Sequence, residues 1–183
     1  MAKILLVAVL CLKIWRPLVE SHQDESWAQR VDDGKQTAHS LQFYFHDTVS
    51  GQNPSAVRVA QASDTNKSLT LFGAVMMADD PLTVGPEPSS KLIGRARGLY
   101  GSACQRDFGL IMAMNYGFTD GMYNGSSISI LGLNSALNPV REMAVVGGTG
   151  LFRMARGYAV AKTHWLDPLS GDAIVSYNVT VIT

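Results

Sequence analysis

The chain is poor in cysteine, poor in charge and lacks helical periodicity, and each shortage excludes something. It has two cysteines, Cys11 and Cys104. Cys11 lies in an apolar N-terminal run, so a chain processed beyond that run keeps Cys104 alone and has no intrachain disulfide. Its core must then hold without covalent staples. No CxxC, Cys/His cluster or HExxH pattern occurs, and His22, His39, His46 and His164 have no metal-ligand spacing. No metal and no other cofactor is expected. Fifteen Lys and Arg balance fifteen Asp and Glu, so the formal net charge is zero. A nucleic-acid partner would call for a basic excess and is not expected. No apolar run is long enough to span a bilayer, so a membrane partner is not expected either.

What remains is the composition of a globular domain, 46% hydrophobic and 16% charged. A length of 183 residues fits one domain with a real core. The chain opens "MAKILLVAVLCLKIWRPLVES". Lys3 followed by the apolar residues 4–12 fits the n-region and h-region of a secretory signal, read here as residues 1–21, although no small-x-small cleavage site follows. Three sequons agree with export: Asn66-Lys67-Ser68, Asn124-Gly125-Ser126 and Asn178-Val179-Thr180. Their asparagines are the expected glycosylation sites. Residues 22–39 are polar and without sustained periodicity, and read as a flexible arm before a domain at 40–183.

From Leu41 onward, short alternating runs are separated by Gly, Pro, Asn and Asp clusters. The runs are 41–49, 56–62, 69–78, 92–104, 108–119, 126–132, 142–147, 153–164 and 173–182. The punctuation includes "SGQNPS", "DDPLTVGPEPSSK" and "TDGMYNGS". No segment carries a capped three-turn helical pattern. Strands at this spacing predict an all-β sandwich or barrel, with neighbours joined as antiparallel hairpins. Asp79-Asp80-Pro81 reads as turn chemistry.

Two strands carry chemistry. In "LQFYFHDTV" (41–49) the period of two puts Leu41, Phe43, Phe45 and Val49 on one face, and Asp47 falls on that same apolar face. A carboxylate there must be paired, hydrogen-bonded or protonated, or else it caps a turn. In "LIGRARGLYGSAC" (92–104) one face carries Gly94, Ala96, Gly98, Tyr100 and Ser102. Small inward residues leave room for a ligand or allow tight curvature, and the pattern leaves both open.

Several blocks in order, "LQFYFHDTVSGQNPSAVRVAQ", "FGAVMMADDPLT", "GRARGLYGSAC", "YNGSSISILG" and "REMAVVGGTGLFRMARGYA", resemble the plant dirigent family over roughly residues 40–183. The resemblance implies an eight-stranded, up-and-down antiparallel β-barrel with a central pocket. It implies secretion to the apoplast and a homo-oligomer, a trimer or, as often described, a dimer. It implies phenolic partners: monolignol radicals such as those of coniferyl alcohol, made by a separate oxidase or laccase and coupled stereoselectively into lignans without turnover by the protein alone. The alternative it implies is an isoflavanol dehydratase of the pterocarpan-synthase type, working through a quinone methide, or else a lignin-organising wall protein. By the same resemblance Asp47 and Arg141 are the catalytic pair, and Tyr100, Ser102, Asn134 and Phe45 bind substrate. Lignan-forming members carry an aspartate where this chain has Asn134, and often a second tyrosine where it has Ser102. These departures lean toward the pterocarpan-forming branch.

Overall fold

The computed structural model describes residues 36–183; the expected signal peptide and the arm through residue 35 lie outside it. Nine strands follow one another along the described residues. They are β1 (Ala38–Asp47), β2 (Ala56–Ala60), β3 (Val75–Thr83), β4 (Leu92–Ser102), β5 (Gly109–Phe118), β6 (Ser127–Ser135), β7 (Arg141–Thr149), β8 (Arg156–Leu166) and β9 (Ala173–Ile182). Each pairs antiparallel with its neighbour in the order β1-β9-β8-β7-β6-β5-β4-β3-β2, and a further β1–β3 pairing closes the ring. The result is the expected eight-stranded barrel, with β2 as an extra strand laid along the first half of β3.

The closure explains the one run placed wrongly in the sequence. Residues 69–78 were expected to be a strand and 79–81 a turn, yet β3 runs from Val75 through Asp79, Asp80 and Pro81 to Thr83. Val75–Ala78 pair with β2, and Leu82–Thr83 pair with β1. Pro81 falls in the gap between these two neighbours, where its missing N–H breaks no ladder on that edge. The first strand also begins earlier than the end of the arm read at residue 39, at Ala38.

Period-two alternation sorts side chains between the inside and the outside of the wall. Phe43, Tyr116 and Tyr177 fill the middle of the barrel, with Phe43 stacked on Tyr177 at 5.6 Å between ring centroids. Ala96, Ala159 and Ala161 on the facing strands are fully buried and make space for those rings. Curvature uses the glycines as well: a Cβ on Gly98 would lie 2.3 Å from the Ala113 carbonyl oxygen. Only glycine lets β4 and β5 approach that closely.

Outside, an apolar row runs in register across five strands: Val57, Met77, Leu99, Ala113 and Leu131. Ile111 and Leu133 form a second pair beside it. All seven are exposed.

Candidate functional site

The barrel is not filled to one end. A cavity of about 230 Å³ opens there, and Phe45, Asp47, Tyr100, Ser102, Asn134 and Arg141 all border it. The structure therefore brings every expected catalytic or substrate-binding residue to one space. Met76, Phe108, Leu110, Met112, Val175 and Tyr177 supply an apolar lining, and Leu71, Leu137 and Leu166 stand among the loop-side residues.

One wall is acidic. Asp47 ends β1 on the inward face, as its phase predicts, and its Oδ1 is buried without a hydrogen-bond partner. Burial pushes its carboxyl up to about 6; the Tyr100 hydroxyl acts against that push, and the charge of Asp172 adds to it. The Tyr100 phenol is raised in turn, first by burial and then by Asp47. Asp47 is thus an acid near neutral pH, with a phenol beside it.

The sequence reading missed the residue behind it. Asp80 is fully buried, accepts a 2.5 Å hydrogen bond from the Ser55 hydroxyl at Oδ1, and leaves Oδ2 unpartnered. Its neighbour Asp79 points outward and pairs with Arg95 at 2.5 Å and Arg97 at 3.0 Å. The signal was present: Ala78, Asp80 and Leu82 alternate inward once the strand is carried through Pro81.

The opposite wall, from β6, β7 and β8, is basic. Arg141 is buried; its Nε donates to Asn134 Oδ1 at 3.0 Å, and its Nη1 donates to Thr163 Oγ1 at 2.9 Å and to the Asn138 carbonyl at 3.4 Å. All three partners are neutral. Burial lowers its proton affinity without bringing a carboxylate to it. Asn134 therefore holds the guanidinium in place while leaving its charge free for an anionic oxygen. Tyr177 stands between the walls, raised chiefly by burial and feeling Arg141 on one side and Asp47 and Asp80 on the other.

Ser102 and Phe45 have narrower parts. The Ser102 hydroxyl donates to the Thr70 carbonyl at 2.5 Å, so toward a ligand it can only accept. Phe45 packs on Tyr116 and Tyr177 at the floor. The sequon asparagines Asn66, Asn124 and Asn178 are all exposed on the outside.

The chain is thus an antiparallel β-barrel holding an apolar cavity, with the Asp47 carboxyl on one wall and the Arg141 guanidinium on the other. The comparisons give the family. The model of the dirigent-like protein family matches residues 38–182. Dirigent protein 23 of Arabidopsis thaliana is 58% identical over 175 residues, covering 95% of this chain and 94% of that one. Pterocarpan synthase 1 of Glycine max is 54% identical over 142 residues, covering 77% and 76%. A solved pterocarpan synthase dirigent protein superposes with a TM-score of 0.76 at 50% identity, covering 83% of this chain and 88% of that one. The chain belongs to the dirigent family, and its relatives include pterocarpan synthases as well as proteins named only as dirigent.

Proposed function

We propose that the cavity dehydrates a phenolic alcohol of the isoflavanol class through a quinone methide and closes it to a pterocarpan-type ring. The observation that carries this reading is a protonatable carboxyl, Asp47, held in an apolar cavity beside Tyr100 and across from the buried Arg141. Asp47 gives its proton to the benzylic hydroxyl, which leaves as water with the C–O bonding electrons. The phenol conjugated with that carbon releases its proton to water at the open end of the cavity, giving the quinone methide. An internal phenol then attacks the electrophilic carbon; its proton returns to Asp47, and the quinone-methide oxygen takes a proton back from water. The net change is loss of one water. Arg141 steadies the oxygen that gathers negative charge along the way, and Tyr100 hydrogen-bonds it. The 54% identity to a pterocarpan synthase supports the reaction class.

The same cavity favours a second reading. Phe45, Phe108, Tyr100 and Tyr177 offer aromatic faces on which two phenoxy radicals, made by a separate oxidase, could be oriented for coupling. Asn134 in place of the lignan-formers' aspartate weighs against that use. The deciding experiment runs purified protein in two arms: racemic isoflavanol with no oxidant, and coniferyl alcohol with laccase. Optically active pterocarpan in the first arm is expected. A racemic first arm beside an enantiomerically enriched lignan in the second would replace the dehydratase reading with the radical one.

The wider setting follows the same proposal. The chain acts outside the cell, in the apoplast, with Asn66, Asn124 and Asn178 placed where glycans can project. Copies assemble through the apolar row on the outer wall, since a closed barrel leaves no sheet edge for pairing apart from β2.

A further inference from the structure

The reaction above uses one carboxyl, yet two stand at that wall. Asp80 is fully buried and does not border the cavity. The β1–β3 ladder pairs Tyr44 with Thr83 and Phe45 with Leu82; carried two rungs further, it sets Asp80 opposite Asp47 on the same inward face. Asp47 Oδ1 and Asp80 Oδ2 are both buried and both lack a partner.

Among the described residues, the cavity side supplies no cation to compensate two anions. Tyr100 faces the pair from β4, Tyr116 from β5 and Tyr177 from β9, and Asp172 adds a further negative charge from the β8–β9 loop. The cation that acts on Asp80 is Arg95, which is already engaged by Asp79 on the outside. His46 turns the other way, with its Nε2 2.7 Å from Thr83 Oγ1. At equilibrium near neutral pH, two carboxyls so placed keep one proton between them. The Ser55 hydroxyl occupies one oxygen of Asp80 and leaves the other free. Besides its 2.5 Å contact with Asp80 it reaches the His46 carbonyl at 3.4 Å and the Thr48 carbonyl at 3.5 Å. Its Oγ accepts from the Thr48 N–H at 3.0 Å while it donates to Asp80 Oδ1, which leaves Oδ2 as the oxygen that can carry the proton of the pair.

We propose that Asp80 is a positioning residue that shares one proton with Asp47 at neutral pH, and that this shared proton is the one Asp47 delivers. Burial and the charge of Asp47 push Asp80 up to about 8, against about 6 for Asp47, which fits a pair that gives up its protons in two separated steps. As Asp47 protonates the departing hydroxyl, the pair passes to its doubly ionised form. It recovers a proton from the phenol that closes the ring. The role of Asp80 in the reaction rests on the dehydratase reading; the sharing of the proton does not.

Infrared difference spectroscopy separates protonated from ionised carboxyls, and the test applies it to the wild type and to Asp80→Asn across pH 4–9, alongside the rate of isoflavanol turnover. The wild type should keep a protonated carboxyl at pH 7 that titrates near pH 8. In the variant that band should be absent at pH 7, because Asp47 alone ionises near 6. Turnover should hold at pH 5 and fall about tenfold at pH 7, a pH-selective loss that a merely structural role would not give. Identical titrations in the two proteins, or a wild type with no protonated carboxyl at pH 7, would overturn the proposal. So would an Asp80→Asn that cannot fold, since a neutral amide stands in for a protonated acid. If the bands behave as stated and no isoflavanol is consumed, the shared proton stands and the dehydratase reading falls.

Discussion

Replacing Asp47 by asparagine should separate stability from activity, and do so as a function of pH. The carboxyl titrates at about 6 in the folded chain, against an ordinary 3.8. The folded state therefore holds its proton more tightly than the unfolded one. Below about pH 4 both states are protonated and ionisation costs nothing. Between 4 and 6 the unfolded chain releases the proton first, so wild-type stability falls as pH rises. Above 6 the full penalty applies. At about 1.4 kcal/mol per pH unit the shift amounts to ~3 kcal/mol, and partial exposure to the cavity reduces this to about 1–3 kcal/mol. Asparagine is neutral throughout. Asp47→Asn should match the wild type near pH 4 and exceed it at pH 8 by that amount, which is about 2–4 °C in Tm for each kcal/mol in a domain of this size. Turnover should fall by a factor on the order of 100 or more. Urea melts at pH 4, 6 and 8 and a chiral product assay supply the two readings. A variant that is active, and destabilised equally at all three pH values, would make Asp47 a turn-capping group and refute its use as an acid.

Two further outcomes test the opposite wall and the outside. Asn134→Asp places a carboxylate 3.0 Å from Arg141 Nε, so it should quench the free positive charge facing the cavity. Pterocarpan formation should drop about tenfold while folding is kept, and chiral chromatography with a urea melt checks both parts. Leu99→Glu puts a charge in the middle of the outer apolar row. If copies pack there, light scattering should show the assembly reduced to monomers while the inward-facing residues, and the tertiary circular dichroism, stay as they were.

Most of the barrel was legible because strand alternation is a local signal. The phase of "LQFYFHDTV" placed Asp47 inward from Leu41, Phe43, Phe45 and Val49, and the small face of β4, which the sequence left open between ligand space and tight curvature, serves both, around Tyr100 and at Gly98. The whole set from Phe45 to Arg141 then met in one cavity. Asp80 stayed hidden because its role depends on a long-range arrangement. Asp-Asp-Pro has the local chemistry of a turn, and only the change of neighbours along β3, from β2 to β1, lets a proline sit inside that strand. The neutral shell around Arg141 was equally illegible: Asn134 could be seen in the chain, but not that Thr163 and the Asn138 carbonyl complete its hold.

The pairing that closes the barrel has a mechanical consequence. Around the rest of the hoop the strands are stitched by ladders of five to ten rungs, ten of them between β1 and β9, whereas β1 meets β3 through Tyr44–Thr83 and Phe45–Leu82 alone. A hoop under load yields at its shortest weld, and here the weld lies immediately beside Asp47 and Asp80. A bulky guest that strains the wall spreads the barrel at that seam before it disturbs the aromatic floor. The acid that the proposed dehydration uses is thus mounted beside the shortest ladder of the ring, where the fewest backbone hydrogen bonds oppose a shift of the wall.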